Sequence, residues 1–216
     1  MACHAPCLLD HLVVTAPTLD IGAAFIRQRL GVSPQPGGEH PRMGTHNLLL
    51  RLGDSLYLEV IAPNPAAAVP DRARWFGLDE LGAGSPARLA TWVARTTDIG
   101  ACAARCSVDL GAIEQMSRGD RTWQITIPQD GMPPLAGLAP ALIEWATPDH
   151  PAVALQDHGL SLSSLTLLHP QPERIRELIA SLGLQEQVMV EQLSGNRSPL
   201  LVAGIDTPAG MRMLSL

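Results

Sequence analysis

Apolar residues along this chain fall into short runs separated by Pro, Gly and polar clusters. Residues 8–15, LLDHLVVT, form an apolar run of strand length. Residues 18–30, TLDIGAAFIRQRL, change to helical spacing, with Ile21, Ala24, Phe25 and Gln28 on one side. Thr18 or Asp20 can cap that helix, and Gly31 stops it. Pro34, Pro36, Gly37 and Gly38 read as a loop, with a short strand near 32–35. Residues 45–52 and 55–62 read as two strands joined by a Gly53-Asp54 hairpin turn. The order is strand, helix, then three strands.

The same order returns. Residues 89–96 are strand-like, 98–106 helix-like, and 112–117, 121–127 and 140–146 strand-like. The two copies share text: Asp20-Ile21-Gly22-Ala23 matches Asp98-Ile99-Gly100-Ala101, and Leu58-Glu59 matches Ile143-Glu144. Both last strands end at a proline, Pro63 and Pro148. Matches at equivalent places in one pattern indicate a repeat. A third copy follows, with a strand over 160–168, a helix over 172–182 ended by Gly183, and strands over 187–193, 199–204 and 211–216. The segments 63–86 and 148–159 are rich in Pro and Ala and read as connectors, with a short helix over 72–81.

Composition narrows the chemistry. All fifteen basic residues of the 216-residue chain are Arg, which removes Schiff-base catalysis and a phosphate-loop lysine. The net charge of -6 argues against nucleic acid as a partner. No eighteen-residue apolar window and no leader sequence are present, so the expectation is a cytoplasmic protein with no membrane segment. Four cysteines, Cys3, Cys7, Cys102 and Cys106, lack the spacing of a zinc site and read as reduced thiols. With 46% hydrophobic and 17% charged residues, a charge inside a strand is informative.

Two such units, with Leu9-Asp10-His11-Leu12-Val13-Val14 in the first strand, Gly44-Thr45-His46-Asn47 before an apolar run and Tyr57-Leu58-Glu59-Val60-Ile61 in the last, resemble the vicinal oxygen chelate superfamily. More narrowly, the chain looks like the bacterial glyoxalase-like domain proteins. The likeness implies an α+β fold of tandem βαβββ units whose mixed sheets curl into a bowl. The paired units, about 8–63 and 87–147, would form a domain over 1–150. A third, related unit over 158–216 would pack on them. Because an odd unit is left without an intrachain partner, a homodimer is expected.

His11 lies in an aliphatic strand and needs a polar partner, as does the carboxylate of Glu59 between Leu58 and Val60. The resemblance makes them metal ligands, with His46 as third ligand in a two-His, one-carboxylate set or Glu144 in its place. It implies a divalent ion: Zn, Ni, Mn or Fe. If Glu144 is not a ligand, it is the candidate general base. The polar stretch 37–47 supplies Arg42 as an anion clamp, with Thr45 and Asn47 beside it. In the second unit, Arg118 and Trp123 occupy the matching region, Trp123 as a wall for a planar substrate. The pattern breaks opposite His11, where Leu89 or Thr91 stands and neither is a good ligand.

Two functions remain open. One is a lyase, isomerase or dioxygenase that acts through a Lewis-acid metal on a small carbonyl, diol or catechol-like substrate. The other is a metal-free small-molecule binder of the bleomycin-resistance type. Convergence of His11 and Glu59 with a third ligand on one cavity distinguishes them.

Overall fold

The computed structural model describes residues 7–147, 149–195 and 197–215, so Cys3, Pro148 and Leu216 lie outside it. The first unit contains β1 (Leu8–Thr15), α1 (Leu19–Leu30), β2 (Gln35–His40), β3 (Thr45–Arg51) and β4 (Tyr57–Pro63). The second contains β5 (Arg88–Arg95), α2 (Ile99–Arg105), β6 (Ala112–Arg118), β7 (Arg121–Ile127) and β8 (Ala141–Trp145). The last contains β9 (Ser161–His169), α3 (Pro172–Leu182), β10 (Met189–Gln192), β11 (Leu200–Thr207) and β12 (Gly210–Leu214).

The first two units form one eight-stranded sheet in the order β2-β3-β4-β1-β5-β8-β7-β6. Each unit pairs its first strand in parallel with its last, β1 with β4 and β5 with β8. The units meet through the antiparallel pair β1–β5. This is the α+β, tandem βαβββ architecture with a curled sheet that the sequence implied. The third unit keeps the element order but not the strand order: its sheet runs β10-β9-β11-β12, with its first strand between the second and third.

Local chemistry explains the elements. Thr18, not Asp20, caps α1 by accepting the Ile21 amide, and Gly31 ends the helix in the left-handed region at φ 78°. Gly22 lets α1 lie directly on β4, since a Cβ there would sit 2.3 Å from the Val60 side chain. The segment expected to be a loop at 34–38 is mostly edge strand β2. An edge tolerates Pro36 because the missing N–H is not needed there. The short helix expected over 72–81 is a pair of 3-10 turns at Trp75–Glu80, broken where Phe76 and Gly77 both take positive φ.

Strand alternation divides the interior. One side of the large sheet buries Leu12, Val14, Leu58, Val60 and Trp92 against the helices and the third unit. The other, concave side carries Val13, Ile61, Val93, Trp123, Ile125 and Ile143, covered by Trp75 and Phe76. Cys7 ties the start of β1 to the third unit by donating its amide to the Leu182 carbonyl.

Candidate active site

The concave face holds a small, partly open cavity lined by His11, His40, Glu59, Arg118 and five aromatic residues. Those five, Tyr57, Trp75, Phe76, Trp123 and Trp145, are taken from only seven Phe, Trp and Tyr in the whole chain. A chain this poor in aromatics has spent most of them on one pocket, where rigid ring faces can hold a planar or apolar ligand.

The polar end is organised by Asp10 and His11. Between β1 and β5 the register shifts from Leu9 opposite Ala94 to His11 opposite Val93, leaving Asp10 as the extra residue of a bulge. The bulge brings two sequence neighbours together: Asp10 Oδ1 and His11 Nδ1 are 2.6 Å apart. The Asp10 carboxylate is fully buried and surrounded by donors. Its Oδ2 accepts from Trp145 Nε1 at 2.9 Å and from His150 Nε2 at 3.1 Å, with an Arg95 guanidinium nitrogen 3.9 Å away. His150 Nδ1 accepts the Ala152 amide, so its Nε2 is the nitrogen that carries the proton toward Asp10. Burial opposes ionisation of Asp10, but the hydrogen bonds and charges of His11 and His150 outweigh it and hold the carboxyl well below its ordinary range.

An ionised Asp10 requires a proton on His11 Nδ1, which leaves Nε2 as the nitrogen that exchanges protons. Across from Nε2, at 3.6 Å, stands Glu59 Oε2. The other Glu59 oxygen accepts from Asn47 Nδ2 at 2.5 Å, and Asn47 Oδ1 accepts from the Gly38 amide at 2.9 Å. Asn47 therefore orients the carboxylate. Tyr57 stacks on His11 with ring centres 4.5 Å apart and keeps the imidazole in plane. Burial raises the Tyr57 hydroxyl well above its usual pKa, and the charges of Asp10 and Glu59 add to this, so it stays protonated. Burial lowers His40 to about 3, helped by the nearby Arg118 charge; His40 is a neutral ring bonded to Thr45.

The sequence candidates divide sharply. His11, Glu59, Asn47, Trp123 and Arg118 belong to the cavity or its support. Thr45 stands one place removed, holding His40. His46 does not join them: Asn47 lies opposite Ile61 on the concave side, so its neighbour His46, opposite Ala62, points to the other side of β3. Glu144 also faces away and accepts the Ile99 amide at 2.8 Å, supporting the start of α2. Arg42 is not free to clamp an anion, because it binds the Gln115 carbonyl and the Glu114 carboxylate, which Arg72 shares. Asp10, Trp145 and His150 were not among the sequence candidates. Their only signal was polarity beside His11 and a His after the second unit's last strand.

Two donors, His11 Nε2 and Glu59 Oε2, stand at a separation that two ligands of one ion could adopt. The second unit adds none at the matching positions. Val93 and Thr91 lie opposite His11 and Val13, and Ile143 occupies the place of Glu59. Among the described residues no three of His, Cys, Asp and Glu converge in a way that could hold a metal. A divalent ion of the kind the superfamily implies takes three or four protein ligands, and the residues present do not fit it.

The profile of the glyoxalase-like domain family matches residues 9–183, most of the chain. The chain belongs to the glyoxalase-like domain family. It is thereby a vicinal oxygen chelate protein, and its two-unit sheet is consistent with that fold. Among solved structures, a hypothetical protein from Staphylococcus aureus is similar over 89% of this chain and 88% of its own, with 14% identity and a TM-score of 0.60. Methylmalonyl-CoA epimerase from Mycobacterium tuberculosis matches 68% of this chain and 93% of its own, at 17% identity and TM-score 0.45. A triple mutant of 4-hydroxymandelate synthase from Streptomyces coelicolor matches 97% of this chain and 62% of its own, at 13% identity and TM-score 0.47. A search of curated proteins finds no match. No helix among the described residues is long and apolar enough to cross a membrane.

Proposed function

We propose that this glyoxalase-like protein is an enzyme that moves a proton on a small carbonyl compound bearing a carboxylate, by acid–base chemistry of its own side chains. The observation that carries this reading is the Asp10–His11 pair, with Glu59 across from Nε2, at the end of an aromatic cavity. His11 Nε2 takes the proton from the carbon beside the carbonyl. The C–H electron pair moves into the carbon framework and the carbonyl becomes an enolate. The imidazolium that forms lies between two carboxylates, Asp10 at 2.6 Å and Glu59 at 3.6 Å, which offset its charge. Return of that proton to the same carbon, from either face, regenerates the carbonyl and completes exchange or epimerisation with no net change in protons.

Arg118 gives the substrate its charge preference. It lines the cavity and, among the described residues, its guanidinium makes no hydrogen bond or ion pair, while its backbone pairs with Arg121. Its stem lies over Gly38, where a Cβ would come within 2.8 Å of Arg118 Cδ. A guanidinium without a partner at the edge of an aromatic cavity suits a carboxylate.

The test is exchange of the carbon-bound proton of phenylpyruvate and alkyl 2-oxo acids in D₂O, followed by NMR. Wild-type protein treated with chelator should exchange it. His11→Gln should lose about 10²- to 10⁴-fold, the scale of general acid–base catalysis, and Glu59→Gln should also slow. Exchange that survives in His11→Gln, or that vanishes with chelator and returns with a divalent ion, overturns the reading.

A further inference from the structure

Removal of a proton from the carbon beside a carbonyl leaves negative charge on the carbonyl oxygen. That charge is stabilised best by a hydrogen-bond donor already aimed at it. Of the donors near His11, Arg118 suits the carboxylate, and Asn47 is engaged with Glu59 and Gly38. The wall of the cavity holds two more, on His40 and Trp75.

His40 ends β2 and is 4% exposed. Its Nδ1 lies 3.1 Å from Thr45 Oγ1. Thr45 is fully buried, and among the described residues that ring nitrogen is the one acceptor its hydroxyl proton has. The hydroxyl therefore donates, Nδ1 accepts, and the imidazole carries its proton on Nε2. Glu59 is engaged with Asn47 and faces His11, and His40 Nε2 has no hydrogen-bond partner among the described residues. Trp75 and Trp123 stand nearly perpendicular to the imidazole, with ring centres 5.1 and 6.1 Å away, and fix its plane. Burial and the positive charge of Arg118 keep the ring unprotonated, so the donor is neutral. The Trp75 indole N–H is buried and also without a partner among the described residues. Buried donors are seldom left without an acceptor, and these two lie side by side on the wall of a cavity that also holds a base.

We propose that His40 is a catalytic residue whose Nε2–H donates to the carbonyl oxygen of the substrate while His11 takes the proton from the neighbouring carbon. This rests on the proposed function for the reaction it assists. As the C–H electron pair forms the new carbon–carbon double bond, the carbonyl π pair moves onto oxygen. The His40 proton stays on Nε2 throughout, and its hydrogen bond strengthens as the oxygen gains charge. A neutral imidazole is a sufficient electrophile for an enolate oxygen. The cavity is small, so only this reacting end of the substrate enters it.

The probe is oxalate, a small planar anion with the oxygens of a 2-oxo acid enolate and no carbon-bound proton. Added to the whole ¹⁵N-labelled chain, it should move the His40 Nε2–H resonance downfield, with Nδ1 unprotonated before and after. His40→Phe keeps a ring and removes the donor. It should weaken oxalate binding in calorimetry by about tenfold or more. It should also lower kcat for proton exchange of phenylpyruvate in D₂O by about 10²- to 10³-fold, with little change in KM. His40→Gln, whose amide can present an N–H in place of Nε2–H, should recover much of both losses. Oxalate binding and kcat in His40→Phe equal to wild type, or a His40 proton found on Nδ1, overturn the inference. Should His40→Phe not fold, the wild-type spectrum decides: no shift on adding oxalate overturns it. The two readings fail separately. If wild type exchanges the proton and His40→Phe matches it, only the His40 assignment fails. If wild type exchanges nothing while oxalate binding still needs His40, the proton-transfer reading fails and the donation to an oxyanion stands.

Discussion

Asp10→Asn changes charge without changing shape, so its effect can be worked from the contacts. In wild type the carboxylate accepts from His11, Trp145 and His150. An amide keeps one acceptor oxygen and adds two N–H donors. Trp145 Nε1 can only donate, and His150 Nε2 must donate because its Nδ1 accepts the Ala152 amide. The amide oxygen is therefore claimed by these two, and its NH₂ group faces His11 Nδ1. His11 must then accept at Nδ1 and carry its proton on Nε2, which removes the lone pair that faces the cavity. A wrong tautomer of this kind costs on the order of 10³- to 10⁴-fold in rate. Three charge-assisted hydrogen bonds are also reduced to neutral ones, a loss of about 3 kcal/mol in stability. For a chain of this size that lowers Tm by about 10 °C. The pH sign follows from the lowered carboxyl. A depressed folded-state pKa gives stability that is fully present above the ordinary value of 3.8 and is lost as pH falls through the folded value. The gap between wild type and Asp10→Asn should be constant from pH 5 to 8, by this reasoning, and shrink in stronger acid. Long-range ¹⁵N NMR of His11 reads the tautomer directly, and thermal melts read the stability. A variant that keeps its proton on Nδ1, or melts with wild type, refutes the network.

Glu144→Ala should lower stability by about 1 kcal/mol through loss of the acceptor for the Ile99 amide, with proton exchange unchanged; a large loss of exchange would return Glu144 to the site. His40 is lowered to about 3 by burial and by Arg118, so unfolded chains bind a proton there that the folded chain refuses as pH falls below 6.5. Wild type should therefore lose about 3 kcal/mol between pH 6.5 and 4 that His40→Gln does not lose, measured by urea unfolding at each pH. Cys7 and Cys102 have sulfurs 2.7 Å apart, and the hydrogen bond from the Cys7 thiol pulls Cys102 below the ordinary thiol value. Diamide should take two protons and two electrons from the pair to form a disulfide across 95 positions of chain, raising stability by up to about 4 kcal/mol, reversibly with dithiothreitol and not in Cys102→Ser. Oxidised and reduced chains that melt together would show the thiols do not join.

Much of the scaffold was legible because alternation and repeat length are set by local chemistry. The His11 strand, the Glu59 strand and the doubled strand-helix-strand pattern all stood in the sequence. What failed was decided by single-residue register. The text match of Leu58-Glu59 to Ile143-Glu144 suggested equivalence, but His11 pairs with Tyr57 while Val93 pairs with Ala141. Counting two residues on from each partner gives Glu59 in one unit and Ile143 in the other. A slip of one residue turns a strand side chain to the opposite face, and it sent Glu144 to the α2 terminus. His46 failed for the same reason beside Asn47. Asp10 failed in the reverse sense. Strict alternation puts it on the face opposite His11, and only a bulge, which leaves no mark in the hydrophobic pattern, brings the two together. The third unit repeats the element order with another strand order, because pairing partners are chosen by long-range packing that local sequence does not encode.

The near-symmetric sheet is loaded unequally. Asp10, His11, Asn47 and Glu59 all come from the first unit, whereas the second contributes Arg118, Trp123, Ile125, Ile143 and Trp145 to the cavity, the last with its indole on Asp10. The two carboxylates and His11 on one side, and Arg118 with much of the apolar wall on the other, are thus encoded in separate stretches of the gene. On the proposed function, randomising positions 118, 123, 125 and 143 in a library changes what the cavity fits and leaves Asp10, His11, Asn47 and Glu59 in place.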